Sequence, residues 1–168
     1  MKANFTRHLA ELDEDQLRHE LNELYGRFDN VRDYYKMELA GDTEVVVTKY
    51  KKKIHHCFFP GRGRGKRARS QSRALIKEFR QISIFPADVL ELEIHRTQAM
   101  VDWIIKWYNE SDAYFNSLQT AFEACCKATV AQQLEDRYQD QLRGIAQTYQ
   151  GYRRRGGRSL EGIYLRFF

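Results

Sequence analysis

Only two prolines, Pro60 and Pro86, interrupt 168 residues in which apolar side chains recur at three- and four-residue steps. A sheet sandwich needs many turns, and two prolines with ten glycines supply too few. The runs between them are rich in Leu, Glu, Gln, Lys, Arg and Ala, which favour helix. The chain is therefore expected to be all-α, a single-domain bundle of about seven to eight helices over residues 1–168. With 42% hydrophobic and 13% aromatic residues, it can fill a core that hides roughly two-thirds of the surface of the unfolded chain.

The spacing places the helices. Asp13 and Gln16 form a capping box ahead of Leu17, Leu21, Leu24 and Phe28. Asp29 or Asn30 restarts a helix through Val31, Tyr34, Tyr35 and Leu39, which Gly41 stops. Thr43 caps the next, whose apolar stripe is Val46, Val47, Tyr50, Ile54 and Cys57, with Lys49, Lys52 and His56 on another face. From about Arg67 to Ile82 a helix turns Ala68, Ser72, Leu75, Phe79 and Ile82 inward and Arg69, Arg73, Lys77 and Arg80 outward. Pro86 suits the first turn of the longest helix, running to Tyr108. Its apolar residues occupy more than one face, which marks it as central and puts Trp103 in the core. Asp112 opens a helix with Phe115, Leu118, Phe122 and Cys125 inward. Leu134 to Tyr149 outline another, and Leu160, Ile163, Tyr164 and Phe167 a short last one.

Charge is segregated along this scaffold. The 33 residues from Val45 to Lys77 hold eleven Lys and Arg and no Asp or Glu, so a chain that is formally +5 is −6 outside that block. Within it, Phe58-Phe59-Pro60 is followed by Gly61-Arg62-Gly63-Arg64-Gly65-Lys66-Arg67, read as a flexible polycationic turn at about 60–68. A second basic turn, with Tyr152, Arg153, Arg154 and Arg155, is expected at about 151–158. Met1 to Ala10 holds no apolar run of signal-peptide length, and nowhere do 18 apolar residues follow one another. Cys57, Cys125 and Cys126 are odd in number and two are adjacent, unlike a secreted disulfide framework. A cytoplasmic protein with reduced thiols and no membrane partner is expected.

Catalytic patterns are weak. A P-loop would need Gly at Pro60, Ser or Thr at Arg67, and a preceding strand. His55-His56-Cys57 and Cys125-Cys126 diverge by about 100° per residue on a helix and lack the spacing of a zinc site. Glu91 and His95, at i and i+4 with Asp102 beyond, could do acid-base work in a cleft, but such a pair more often supports a helix. No catalytic residue, metal or cofactor is assigned.

Leu17 to Phe28, Tyr34-Tyr35, Tyr50-Lys51-Lys52-Lys53-Ile54, Phe58-Phe59-Pro60, the Arg62 to Lys66 turn, Phe79, Tyr114-Phe115-Asn116-Ser117 and a tail with Tyr164 and Phe167-Phe168 follow one another in this order. In that succession the chain resembles, over nearly its full length, a bacterial family of small helical proteins known only as a domain of unknown function. Ser111 and the Tyr152 turn depart from the family pattern. The resemblance implies a compact helical domain and supplies no reaction.

The basic face thus carries the functional expectation. Lys49, Lys52, Arg62, Arg64, Lys66, Arg67, Arg69 and Arg73, with Arg153, Arg154 and Arg155 from the second turn, are expected to contact nucleic acid, DNA or RNA, without strong sequence readout. Phe58, Phe59 or Tyr152 would be available to stack on an unpaired base. A non-enzymatic module for an acidic protein surface is the alternative, and an enzyme using Glu91 and His95 the third reading. The basic block could also be neutralised by the acidic helices of its own fold.

Overall fold

The computed structural model of the chain describes residues 1–108, 111–152 and 159–168. Among the described residues every regular element is a helix. They are α1 (Lys2–Glu11), α2 (Glu14–Arg27), α3 (Asp29–Leu39), α4 (Thr43–Phe58), α5 (Ala68–Ile82), α6 (Pro86–Trp107), α7 (Asp112–Ala131), α8 (Glu135–Tyr152) and α9 (Glu161–Tyr164). The all-α expectation holds. No helix among the described residues is long and apolar enough to cross a membrane. The chain divides into two compact units, Met1–Thr43 and Glu44–Phe168.

In the first unit, α1 is the helix that the apolar spacing did not announce. None of its residues is buried, and its apolar residues are few, chiefly Phe5 and Leu9. The capping box ahead of α2 is present: Gln16 N–H donates to Asp13 at 2.8 Å, and Asp13 N–H to the Gln16 side chain at 3.0 Å. Arg32 closes the α2–α3 hairpin by donating to the carbonyls of Tyr25 at 3.1 Å and Gly26 at 2.6 Å, which are among the carbonyls a helix end leaves unpaired. Gly41, at φ +66°, ends α3 as the sequence indicated.

The second unit is organised around α6. Its Leu90, Leu92, Ile94, Met100, Val101 and Ile104 are buried, and it packs against α5, α7 and α8, while α9 rests on α7 and α8. Helix α4 joins through Tyr50, fully buried, whose ring meets Phe79 edge-on at 5.0 Å and whose hydroxyl donates to Glu78 at 2.6 Å. The inner seam of α5 is Ala68, Ser72, Ile76, Phe79 and Ile82. Leu75 is only half-buried and Ile76 takes the place expected for it, because a 4, 4, 3, 3 spacing keeps the seam straight.

Phe79 is 0% exposed and packs edge-on against Tyr50 of α4. Phe79→Ala is expected to lower the unfolding free energy by about 3–5 kcal/mol, measured by urea denaturation. A loss below about 1 kcal/mol would put the ring outside the core.

Candidate functional site

The basic turn is built on a single close approach. Gly65, at φ +59°, lies so near the end of α4 that a Cβ there would sit 2.3 Å from the Cys57 carbonyl oxygen and 3.0 Å from that of Phe58. Glycine is thus required twice, for its left-handed backbone and for its missing side chain. From this point Ala68 N–H donates to the Gly65 carbonyl at 2.9 Å, which starts α5.

Aromatic residues of α6 and α7 then hold the turn from outside. The Trp103 indole N–H donates to the Arg64 carbonyl at 2.6 Å, and the Arg64 guanidinium lies 5.0 Å from the Trp107 ring. Lys106 sits over both Phe59 at 5.2 Å and Trp107 at 5.5 Å. Trp103 stacks on Tyr114 with centroids 4.7 Å apart and planes within 5°, and Arg69 covers the outer side of Tyr114 at 4.8 Å while donating to the Ala113 carbonyl at 3.0 Å. Cations over aromatic faces are attracted by the ring quadrupole. The turn read as flexible from its glycines therefore has a fixed path, and Trp103, expected in the core, is a half-buried clamp. Trp103 and Trp107, spaced i and i+4, were the available signal for that clamp; Lys106 gave none.

The predicted basic residues divide into two sets. Arg64 and Arg69 are spent on aromatic faces, and Arg73 reaches Ser117 at 3.3 Å. Lys49 is half-buried on α4. Lys52, Arg62, Lys66 and Arg67 are exposed, and their side chains have no hydrogen-bond or ion-pair partner among the described residues; Lys77 joins them on α5. Arg153, Arg154 and Arg155 lie outside the described residues. The proposed base-stacking residues fare differently: Phe58 is fully buried, Phe59 is covered by Lys106 and by His55 at 4.8 Å, and Tyr152 has Tyr108 beside it at 6.2 Å.

Glu91 and His95 are each bonded to Lys51 of α4 rather than to one another. Glu91 accepts from Lys51 at 2.5 Å, Arg137 at 2.6 Å and Tyr138 at 3.1 Å. Burial works to raise its pKa, but the bond and charge of Lys51, with Tyr138 and Arg137, outweigh it and hold the carboxyl below its ordinary range. His95 instead makes its Nε2 bond at 3.1 Å to the Lys51 carbonyl, and Asp102 accepts from Gln98 at 2.7 Å. Each group has a structural partner of its own. Burial first, then the Lys51 and His55 charges, lowers the His95 pKa against the opposing Lys51 carbonyl and Asp102. Cys125 and Cys126 are buried core thiols, both pushed up to about 12 chiefly by burial. Among the described residues no group of three His, Cys, Asp or Glu is arranged to hold a metal ion.

Two measurements check this geometry. Gly65→Ala is expected to lose on the order of 2–4 kcal/mol of unfolding free energy, whereas Gly63→Ala, at φ +84° but facing open space, should lose about 1 kcal/mol. Equal losses would mean that Gly65 makes no close approach. His95, held neutral in the fold, binds a proton more readily when unfolded. Its contribution is therefore intact above pH of about 6.5 and is lost as pH falls from there through the lowered folded value, with a slope of up to about 1.4 kcal/mol per pH unit. His95→Gln should flatten that part of a stability-versus-pH curve; an unchanged curve would show that His95 titrates as if free.

No curated protein and no solved structure matches the chain. One family model does, over residues 1–167. The chain belongs to the family of unknown function DUF6155.

Proposed function

We propose that the protein binds nucleic acid through its phosphate backbone, with the turn between α4 and α5 as the point of contact and without strong sequence readout. The observation that supports this reading is the set of exposed cations Arg62, Lys66 and Arg67 on a turn whose backbone is already fixed, flanked by Lys52 on α4 and Lys77 on α5. Ordering has been completed in the fold, so contact with phosphates loses little further conformational entropy. An acidic protein partner is less well served. Protein interfaces concentrate their energy in buried apolar or aromatic anchors, and here Phe59 and Trp107 are capped by Lys106 and Arg64.

Counterion release makes the reading quantitative. Contact with about six phosphates gives a slope of about −5 in log affinity against log salt. An electrophoretic shift series on duplex DNA, single-stranded DNA and RNA should show that slope. It should also show no preference for single strands, since the aromatic rings near the turn are buried or covered. Replacing Arg62, Lys66 and Arg67 together by Glu should abolish the shift while leaving the unfolding midpoint in place, because none of the three has a partner to lose. Absence of binding at low salt would overturn the proposal, and nuclease-resistant capture of a protein that the same triple variant fails to capture would replace it with the acidic-partner reading.

A further inference from the structure

Helices α5, α6 and α7 line a groove of about 820 Å³ that shares only Lys77 with the proposed nucleic-acid contact. Part of its lining is apolar: Ile76 on α5, Val89 and Leu90 on α6, and Ala121, Ala124 and Ala128 along α7. The small alanines deepen it. The charged part is one-sided, with Arg73, Lys77, Arg80 and Arg96 against a single carboxylate, Glu93.

Arg96 is the residue that needs explaining. It is 2% exposed, and among the described residues no other Lys or Arg is buried. Its Nε donates to Ser72 at 3.1 Å and its Nη1 lies 3.5 Å from Glu93. Its Nη2 is buried with no hydrogen-bond partner. Glu93 cannot fully answer for it, being shared with Arg80 at 3.7 Å. A buried donor on a charged group is expensive to leave unsatisfied, and native structures seldom do so without a reason. Here the unsatisfied edge belongs to a residue that lines the groove.

The groove has direction as well as charge. Arg73, Arg96 and Thr120 mark one end, and Ile84, Phe85 and Ala128 the other. The step from Thr120 to Ala128 along α7 is about 12 Å at helical rise. Ile84 and Phe85, in the turn between α5 and α6, are 45% and 51% exposed, large apolar surfaces with no cover of their own.

We propose that this groove binds a linear amphiphile with a carboxylate head, a fatty-acid-like monoanion. Its head would lie at Arg96 and Arg73, and its tail would run along Ile76, Val89 and the alanines toward Phe85. Apolar walls with a few convergent polar groups, at this volume, are the usual build of a small-molecule site. A single free guanidinium edge, with Nε and Nη1 already engaged, suits one negative charge rather than two. The exposed Arg73, held only by a 3.3 Å contact to Ser117, is the side chain free to move as the head reaches Nη2.

The test is calorimetric titration of the full chain at pH 8 with decanoate, decanol and decylamine, each below its micelle-forming concentration. Decanoate should bind one to one, with decanol at least about tenfold weaker and decylamine silent. Ala124→Trp fills the groove from an exposed position on α7 and should abolish decanoate binding with the fold intact. Arg73→Gln should bring decanoate down toward decanol, which keeps the test open even if Arg96→Gln fails to fold. The Arg62, Lys66 and Arg67 triple change to Glu should leave decanoate binding unaltered, so the groove and the nucleic-acid reading stand or fall separately. Equal affinity for decanoate and decanol, decanoate binding that survives Ala124→Trp, or no binding to the wild type would each overturn the proposal.

Discussion

The approach of Gly65 to the last carbonyls of α4 decides how the second unit can present its charge. An Arg/Gly segment left to itself would sample many paths, and its cations would act as a diffuse cloud. Here a backbone passes where no side chain fits, which forces the chain to turn at one place and begin α5 three residues later. The aromatic clamp follows from that fixed path. Trp103 can donate to the Arg64 carbonyl, and Trp107 can receive the Arg64 guanidinium, only because the turn has one course over the end of α6.

Among the described residues, the carboxylates of the second unit pair mostly away from the basic turn. Glu91 takes Lys51 from the basic block but is otherwise satisfied by Arg137 and Tyr138 from α8. Glu93 is engaged by Arg80 and Arg96, and Glu123 by Arg166. The acidic helices thus find most of their partners outside the Val45–Lys77 block. The surface pairs contribute little each. Among the described residues Arg62, Lys66 and Arg67 enter none of these pairs, which a charge count along the sequence could not reveal.

Helix positions were largely legible because apolar spacing and caps are local properties: Asp13 with Gln16, Gly41 and Pro86 each mark a boundary the structure keeps. Helix α1 escaped because its apolar stripe is short, Phe5 and Leu9, and none of its residues is buried. At the candidate site, sequence identified the basic residues but not their division. Whether an arginine reaches solvent or an aromatic face depends on residues some 40 positions away, as Arg64 and Arg69 show against Trp107 and Tyr114. Arg96 was invisible for a related reason: on a helix of mixed faces, nothing local separates a buried arginine from an exposed one.

The adjacent thiols of α7 give the bundle an internal gauge of its own opening. With both groups pushed up to about 12 by burial, they stay protonated at neutral pH, and the thiolate is the reactive form. Alkylating reagents therefore meet Cys125 and Cys126 as reactive groups when α7 separates from its neighbours. The half-buried Cys57 beside the basic turn reports a different event, the loosening of the α4 end. One chain thus carries two chemically distinguishable clocks: one timed by core exposure and the other by the hinge that orients its cations.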